Sequence, residues 1–145
     1  MRHVCLTICC AVAACGGGDA TATAPSPRVE GEYHLVSVDG VAPPVRIAND
    51  QFYGRTLVAR ATLFVRRSTN GGPQEYAGFY HDSLDVVFPD VTNPPGAIRQ
   101  DFGDVYLAAS RVAFVSWMSG SSQPGVATDA DVTILKDGRR WLYGH

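Results

Sequence analysis

The chain has 145 residues, the length of one domain, and a formal net charge of −2. No basic cluster is larger than the pairs Arg66-Arg67 and Arg139-Arg140. Nucleic acid is therefore excluded as an expected partner, because binding to phosphates needs a stripe of positive charge. All four cysteines lie at or before Cys15, which excludes both a disulfide-stapled domain and a zinc site built on thiolates.

Residues 1–14 have the three parts of an export signal. A short basic start precedes the apolar run Val4–Val12, and the small residues Ala13 and Ala14 follow it. As a helix this run spans about 13 Å, less than half of a hydrocarbon core, so it cannot remain as a transmembrane segment. The sequence therefore predicts a signal peptide over residues 1–14. An ordinary secretory signal that is cut after Ala14 is the alternative to a lipoprotein signal.

The end of this signal, Val12-Ala13-Ala14-Cys15, resembles the bacterial lipobox. The resemblance implies cleavage before Cys15 and acylation of its thiol. Several acyl chains on one cysteine anchor a protein firmly, since each buried methylene contributes about 0.8 kcal/mol. Gly16 follows instead of an acidic residue, and by resemblance to Gram-negative lipoproteins this implies the outer membrane. We therefore expect a lipid-anchored protein of the bacterial cell envelope, with the membrane as a partner of Cys15.

Residues 15–29 are predicted to be the lipidated cysteine and a flexible tether. Gly16–Pro27 consists mainly of glycine, alanine, threonine and proline, so it has little surface to bury and should not fold. The folded domain is expected over residues 30–145.

Within this domain, short β-rich runs recur between turn residues, and no stretch shows sustained helical periodicity. Thr56–Arg67 is the clearest strand, because its apolar side chains alternate strictly with polar ones. We expect Leu57, Ala59, Ala61, Leu63 and Val65 to share its buried face. The predicted strands are Glu32–Val38, Thr56–Arg67, Glu75–Tyr80, Leu84–Phe88, Asp104–Ala109, Arg111–Trp117, Asp131–Lys136 and Arg139–Tyr143.

Turn residues separate these runs. Asn70-Gly71 suits a tight hairpin, and Asp137-Gly138 suits the last one. Pro89–Gln100 contains three prolines and is predicted to be a long loop outside the sheet. Met118–Gly125 is predicted to be a turn.

Antiparallel strands without a helix leave two exposed edges unless the sheet closes on itself. The terminal runs Glu32–Val38 and Arg139–Tyr143 could pair to close it. The predicted fold is therefore all-β, an antiparallel up-and-down meander of about eight strands in a closed or half-open barrel.

The two ends of the domain resemble lipocalin-like domains of uncharacterised bacterial lipoproteins. At the start, Gly31–Gly40 (GEYHLVSVDG) is followed by Pro43-Pro44, and at the end Asp137–Tyr143 has the pattern Asp-Gly-x-x-Trp-x-Tyr. The resemblance implies a lipocalin-like β-barrel with an interior site, and it carries no catalytic residues.

An eight-stranded barrel either just holds one small molecule or is filled by its own side chains. The small Ala59 and Ala61 could leave room for an apolar ligand, with Phe79, Phe114 and Trp117 as further ligand-binding side chains. The alternative is that these aromatic residues, together with Phe88 and Trp141, fill the core.

No metal site and no cofactor are expected, because the histidines lack ligand spacing. The acidic residues Asp101, Asp104, Asp129 and Asp131 are predicted to be solvated loop carboxylates. His81-Asp82-Ser83 suggests a hydrolase at first sight, but neighbouring residues on a strand point to opposite faces. We therefore expect no catalytic residue.

These observations favour a non-enzymatic envelope lipoprotein that binds a small apolar ligand inside a β-barrel. Two other functions stay open. One is a protein-interaction or inhibitor module that uses an outer barrel face or the proline-rich loop Thr92–Gly96. The other is a hydrolase whose catalytic groups converge from distant strands.

Overall fold

A computed structural model describes residues 27–68, 76–92 and 97–145. These residues form nine strands and include no helix that could cross a membrane. The predicted all-β class is confirmed. The strands are β1 (Gly31–Val38), β2 (Val45–Asp50), β3 (Gly54–Arg67), β4 (Tyr76–Val87), β5 (Ala97–Ala108), β6 (Arg111–Ser116), β7 (Ser122–Ala127), β8 (Asp131–Lys136) and β9 (Arg139–Gly144).

The sheet closes into a barrel. Its strand order is β1-β9-β8-β7-β6-β5-β4-β3-β2, and an additional pairing of β1 with β3 completes the circle, which leaves β2 as an extra strand. All pairs are antiparallel, so the predicted closed meander is confirmed. The two terminal strands meet as expected: Val38 lies opposite Trp141, and His34 lies opposite Gly144. The architecture is consistent with a lipocalin-like barrel.

β1 and β2 share one edge of the long strand β3. β1 pairs with its second half, from Thr62 to Val65, and β2 pairs with its first half, from Gly54 to Val58. Between them the chain leaves the sheet through a turn and the cis Pro43-Pro44 peptide. Among the described strands, the segment Ala59–Ala61 is therefore paired only on its β4 side, and the barrel wall has a gap there.

The predicted inward face of β3 is correct in its second half and wrong in its first half. Alternate residues of Ala61–Val65 are buried, as expected. The register against β4 then shifts between Val58 and Arg60, and Ala59 is the extra residue. A bulge of this kind moves the side chains before it to the opposite face. As a result Thr56 and Val58 are fully buried, whereas Leu57 is only half-buried.

Other strand boundaries also differ from the prediction. β4 is one strand from Tyr76 to Val87, although two strands were predicted there. The polar run His81–Ser83 produced the false break. β5 begins at Ala97, so the second part of the predicted loop Pro89–Gln100 belongs to the sheet.

Two strands were not predicted at all. β2 has the polar sequence VRIAND and lies at a sheet edge, where one neighbour is enough to hold it. β7 contains Pro124 and Gly125, which are turn signals in isolation. Pro124 is tolerated because it pairs with Ala113 of β6 and has no partner on β8, whereas Gly125 pairs with both neighbouring strands.

Side chains fill the barrel interior. The largest fully buried ones are Trp141, Tyr33, Tyr143, Phe114 and Leu63. They come from strands on all sides of the barrel and belong to one cluster. The alternative that aromatic residues fill the core is thus correct for Phe114, Trp141 and the buried Phe88.

Candidate functional site

A cavity of about 510 Å³ opens at the gap in the barrel wall. We call it the wall cleft. Ala59 and Ala61, the small residues that were predicted to leave room for a ligand, both line it. The full lining is His34, Leu35, Pro43, Ala59, Arg60, Ala61, Thr62, Ser83 and Asp85. The predicted space beside the alanines exists, but it lies in the wall and not along the barrel axis.

The wall cleft has an apolar inner side and a polar rim. Leu35, Pro43 and Ala59 are half-buried and Ala61 is buried, whereas Arg60 is exposed. An amphipathic molecule would match this arrangement, with its apolar part placed inward.

The main charge at the rim is the Arg60 guanidinium. Its Nε and Nη2 atoms lie 3.0 and 2.8 Å from Oδ2 of Asp85. The Arg60 side chain is 83% exposed, and such exposed pairs are held only weakly. Arg60 can therefore leave Asp85 at little cost.

The turn that leads out of β1 is held by Asp39. Asp39 and Gly40 both have positive φ angles, as a tight turn requires. The Asp39 carboxylate accepts hydrogen bonds from Arg139 Nε at 2.7 Å and from the Arg140 backbone nitrogen at 2.8 Å. These bonds, with Arg139 the stronger cause, lower the pKa of Asp39 below its ordinary value. One side of the wall cleft is thereby tied to the β8–β9 turn.

A second group of polar side chains lies inside the barrel. Asp82 on β4 and Asp101 on β5 are direct cross-strand partners. Lys136 Nζ lies 2.6 Å from Asp82 Oδ2, and the Tyr143 hydroxyl donates to Asp82 Oδ1 at 3.1 Å. The side chains of Asp82 and Lys136 are only 5% and 14% exposed. A buried ion pair in the barrel was not predicted from the sequence.

Asp101 has its own set of donors. Its carboxylate accepts hydrogen bonds from the Tyr80 hydroxyl at 2.7 Å, from Ser116 Oγ at 2.6 Å and from the Phe102 backbone nitrogen at 3.0 Å. The prediction that Asp101 is a solvated loop carboxylate is wrong, because β5 begins before it and turns it inward. We call Tyr80, Asp82, Asp101, Ser116, Lys136 and Tyr143 the interior polar cluster.

Burial, together with the hydrogen bonds of this cluster, keeps its tyrosines protonated. Burial raises the pKa of Tyr143, and the neighbouring Asp82 raises it further. Burial and the hydrogen bond to Asp101 raise the pKa of Tyr80 in the same way. Both phenols therefore stay protonated and act as donors. Each carboxylate is bound to several donors, so the cluster links β4, β5, β6, β8 and β9 inside the barrel.

One sequence signal could have revealed the cluster. Lys136 is the only lysine of the chain, and it lies two residues after the apolar Ile134 on the same face of β8. Likewise, Asp82 stands between Tyr80 and Leu84 in an alternating pattern. A charged residue on the apolar face of a strand indicates a buried partner.

The predicted ligand-binding side chains do not come together. Ala59 and Ala61 line the wall cleft, and Phe114 is fully buried in the core. Phe79 and Trp117 lie on the outer surface, 40% and 60% exposed. The expectation that these two rings face the interior is wrong, because Tyr80 and Ser116 occupy the neighbouring inward positions.

Phe79 and Trp117 belong to a larger group of rings on the outside of β3, β4 and β5 and in the turn after β6. The Phe79 ring lies 5.6 Å from that of Trp117 and 5.8 Å from that of Tyr76. Tyr76 in turn lies 5.7 Å from Tyr106. We define the outer aromatic face as Phe64, Tyr76, Phe79, His81, Phe102, Tyr106 and Trp117.

The hydrolase motif His81-Asp82-Ser83 is divided between two faces. Asp82 points into the barrel, while the His81 ring stacks on Phe102 outside at 4.4 Å. Ser83 lines the wall cleft. In the described part of the chain, no three acidic or histidine side chains are grouped as metal ligands.

Several predictions fall outside the described residues. These are the signal, Cys15 and most of the tether, the Asn70-Gly71 turn, and the proline-rich loop after Thr92. A comparison with protein families, curated proteins and solved structures finds no match for this chain.

Proposed function

We propose that this protein is a lipid-anchored protein of the bacterial cell envelope that binds one small amphipathic molecule in its wall cleft. The observation that carries the binding proposal is the cavity of about 510 Å³ at the break between β1 and β2. Its size is within the range of about 300–1,000 Å³ that is typical of small-molecule sites. The filled core leaves the wall, not the barrel lumen, as the place for a ligand.

The lining defines the chemistry of this ligand. Its apolar part would contact Leu35 and the two alanines, where hydrophobic burial contributes most of the affinity. Its polar part would carry hydroxyl groups, or an anion that replaces Asp85 as the partner of Arg60, because Arg60, Asp85, Thr62 and Ser83 line the cleft. Such a site binds without a reaction, and we assign no catalytic residue to it.

The binding proposal is tested with the fluorescent probe anilinonaphthalene sulfonate, which joins apolar rings to one anion. Ala59→Leu fills the cleft, so probe binding should weaken by about tenfold, which corresponds to ~1.4 kcal/mol. Ala130→Leu, in the exposed turn before β8, is the matched control and should bind as the original chain does. Equal binding by the original protein and both variants would place the probe elsewhere and refute the proposal.

The anchoring proposal rests on the signal over residues 1–14 and the lipobox-like end at Cys15. Cys15→Ser should block maturation and release the protein from the membrane fraction, because the acylated thiol is lost. The measurement is incorporation of radiolabelled palmitate in the bacterial host. Continued labelling of the Cys15→Ser variant would contradict the lipid anchor.

A further inference from the structure

The outer aromatic face joins three exposed rings, Phe64, Phe79 and Trp117, to four half-buried ones. Phe64 is 37% exposed, and Met118, next to Trp117, is 75% exposed. Register places Phe64, His81 and Phe102 in one row across β3, β4 and β5. Exposed apolar surfaces that are contiguous over several strands mark sites of association.

Charge is distributed unequally across this face. The next row is Arg66, Phe79 and Asp104, so a cation flanks the ring on the β3 side and a carboxylate flanks it on the β5 side. The Arg66 guanidinium lies 5.8 Å from the centroid of Phe64. Asp104 Oδ2 accepts the indole hydrogen of Trp117 at 3.0 Å. Both charges are therefore held beside rings of the face.

We propose that the outer aromatic face binds a second copy of this chain in a two-fold symmetric dimer. If the two-fold axis lies in the interface along β4, rotation exchanges the β3 side with the β5 side. Arg66 then faces the partner's Asp104, Asp104 faces the partner's Arg66, and Phe79 meets the partner's Phe79. The charge pattern of the row is thus complementary to itself, as an isologous interface requires. An axis across the strands would instead oppose like charges.

This axis also suits two molecules in one membrane. Rotation about an axis along β4 keeps the direction of β4, so corresponding ends of the two barrels lie on the same side, with the barrel axes inclined by about 70–90° because strands tilt about 35–45° from a barrel axis. The backbone nitrogen of Arg28 is bound to Asp129 at 3.1 Å, so both chains would enter their barrels at the same end. Two tethers could then reach one bilayer, which raises the effective concentration for pairing. This point rests on the proposed lipid anchor, whereas the charge pattern is independent of it.

The test uses the mature chain, from residue 15 onwards, with Cys15→Ser to keep it free of lipid. Sedimentation equilibrium up to about 1 mM should show a monomer–dimer equilibrium. Arg66→Glu places two carboxylates opposite each other at both symmetric contacts, so the dissociation constant should rise by at least about tenfold. Asp104→Arg should have the same effect by opposing two cations. Combining the two substitutions exchanges the charges and should restore the dissociation constant to within about threefold.

Arg140→Glu is the matched control, because Arg140 is exposed on β9, away from the face. It should leave the dissociation constant unchanged within about twofold. Circular dichroism of each variant shows that the barrel is intact. A monomer at the highest concentration, a double variant as weak as the single ones, or an Arg140→Glu effect of equal size would each overturn the proposal. Probe binding in the wall cleft is measured separately, so failure of the dimer and failure of the proposed function are distinguishable.

Discussion

At the scale of single residues, two ion pairs with similar geometry differ in how deeply they are buried. Lys136–Asp82 and Arg60–Asp85 have similar distances of 2.6 and 2.8 Å. The first is almost enclosed, and the Lys136 ammonium also lies 5.4 Å from the centroid of the Trp141 ring. The second is open to solvent. Removing one partner should therefore have very different consequences, because an unpaired buried charge cannot be hydrated.

We expect Lys136→Met to lower the free energy of unfolding by about 3–5 kcal/mol, since Asp82 loses its cation inside the barrel. Arg60→Met, the exposed counterpart, should cost less than about 1 kcal/mol. Adding Asp82→Asn to Lys136→Met should recover most of the loss, because the amide keeps an acceptor for Tyr143 and carries no charge. Urea denaturation measures all three variants. A Lys136→Met loss no greater than that of Arg60→Met would show that the pair contributes little.

At the scale of the strands, the sequence predicts which segments form strands better than it predicts which face of the sheet each side chain occupies. The alternation in Thr56–Arg67 correctly identified the long strand β3, yet the bulge at Ala59 reversed its first half. A bulge depends on the pairing with β4, which no local pattern contains. β7 was missed for a related reason: pairing with Ala113 of β6 holds Pro124 in the sheet despite its turn propensity.

The candidate sites show the same limit. The small residues Ala59 and Ala61 correctly indicated free space, but the space is in the wall because β1 and β2 meet β3 at different places. Phe79 and Trp117 were predicted to line the barrel interior, but both rings lie on its outer surface. The cross-strand register of β3, β4 and β5 places Phe79 among other rings outside, and the turn after β6 brings Trp117 beside it.

At the scale of the whole molecule, closure of the barrel brings several tyrosines into the core. Tyr33, Tyr80 and Tyr143 are buried on β1, β4 and β9. Burial is the largest cause of the raised pKa of each phenol, with Asp129, Asp101 and Asp82 as the respective acidic neighbours. At the surface, one carboxyl group has a pKa that is shifted in the opposite direction. The pKa of Asp90 is lowered to about 2, mainly by its hydrogen bond from the Arg55 side chain.

These shifts predict how stability depends on alkaline pH. A tyrosine with a raised pKa keeps its proton in the folded state where the unfolded chain has lost it, so its contribution is complete below pH 10 and is lost as the pH rises further. The free energy of unfolding should therefore fall above about pH 10. For a phenol as buried as that of Tyr143, the fall approaches ~1.4 kcal/mol per pH unit. Tyr143→Phe removes this titration, so urea midpoints measured from pH 8 upwards should decline less steeply for the variant. Parallel curves for the two proteins would mean that Tyr143 ionises in the folded barrel as readily as in the unfolded chain.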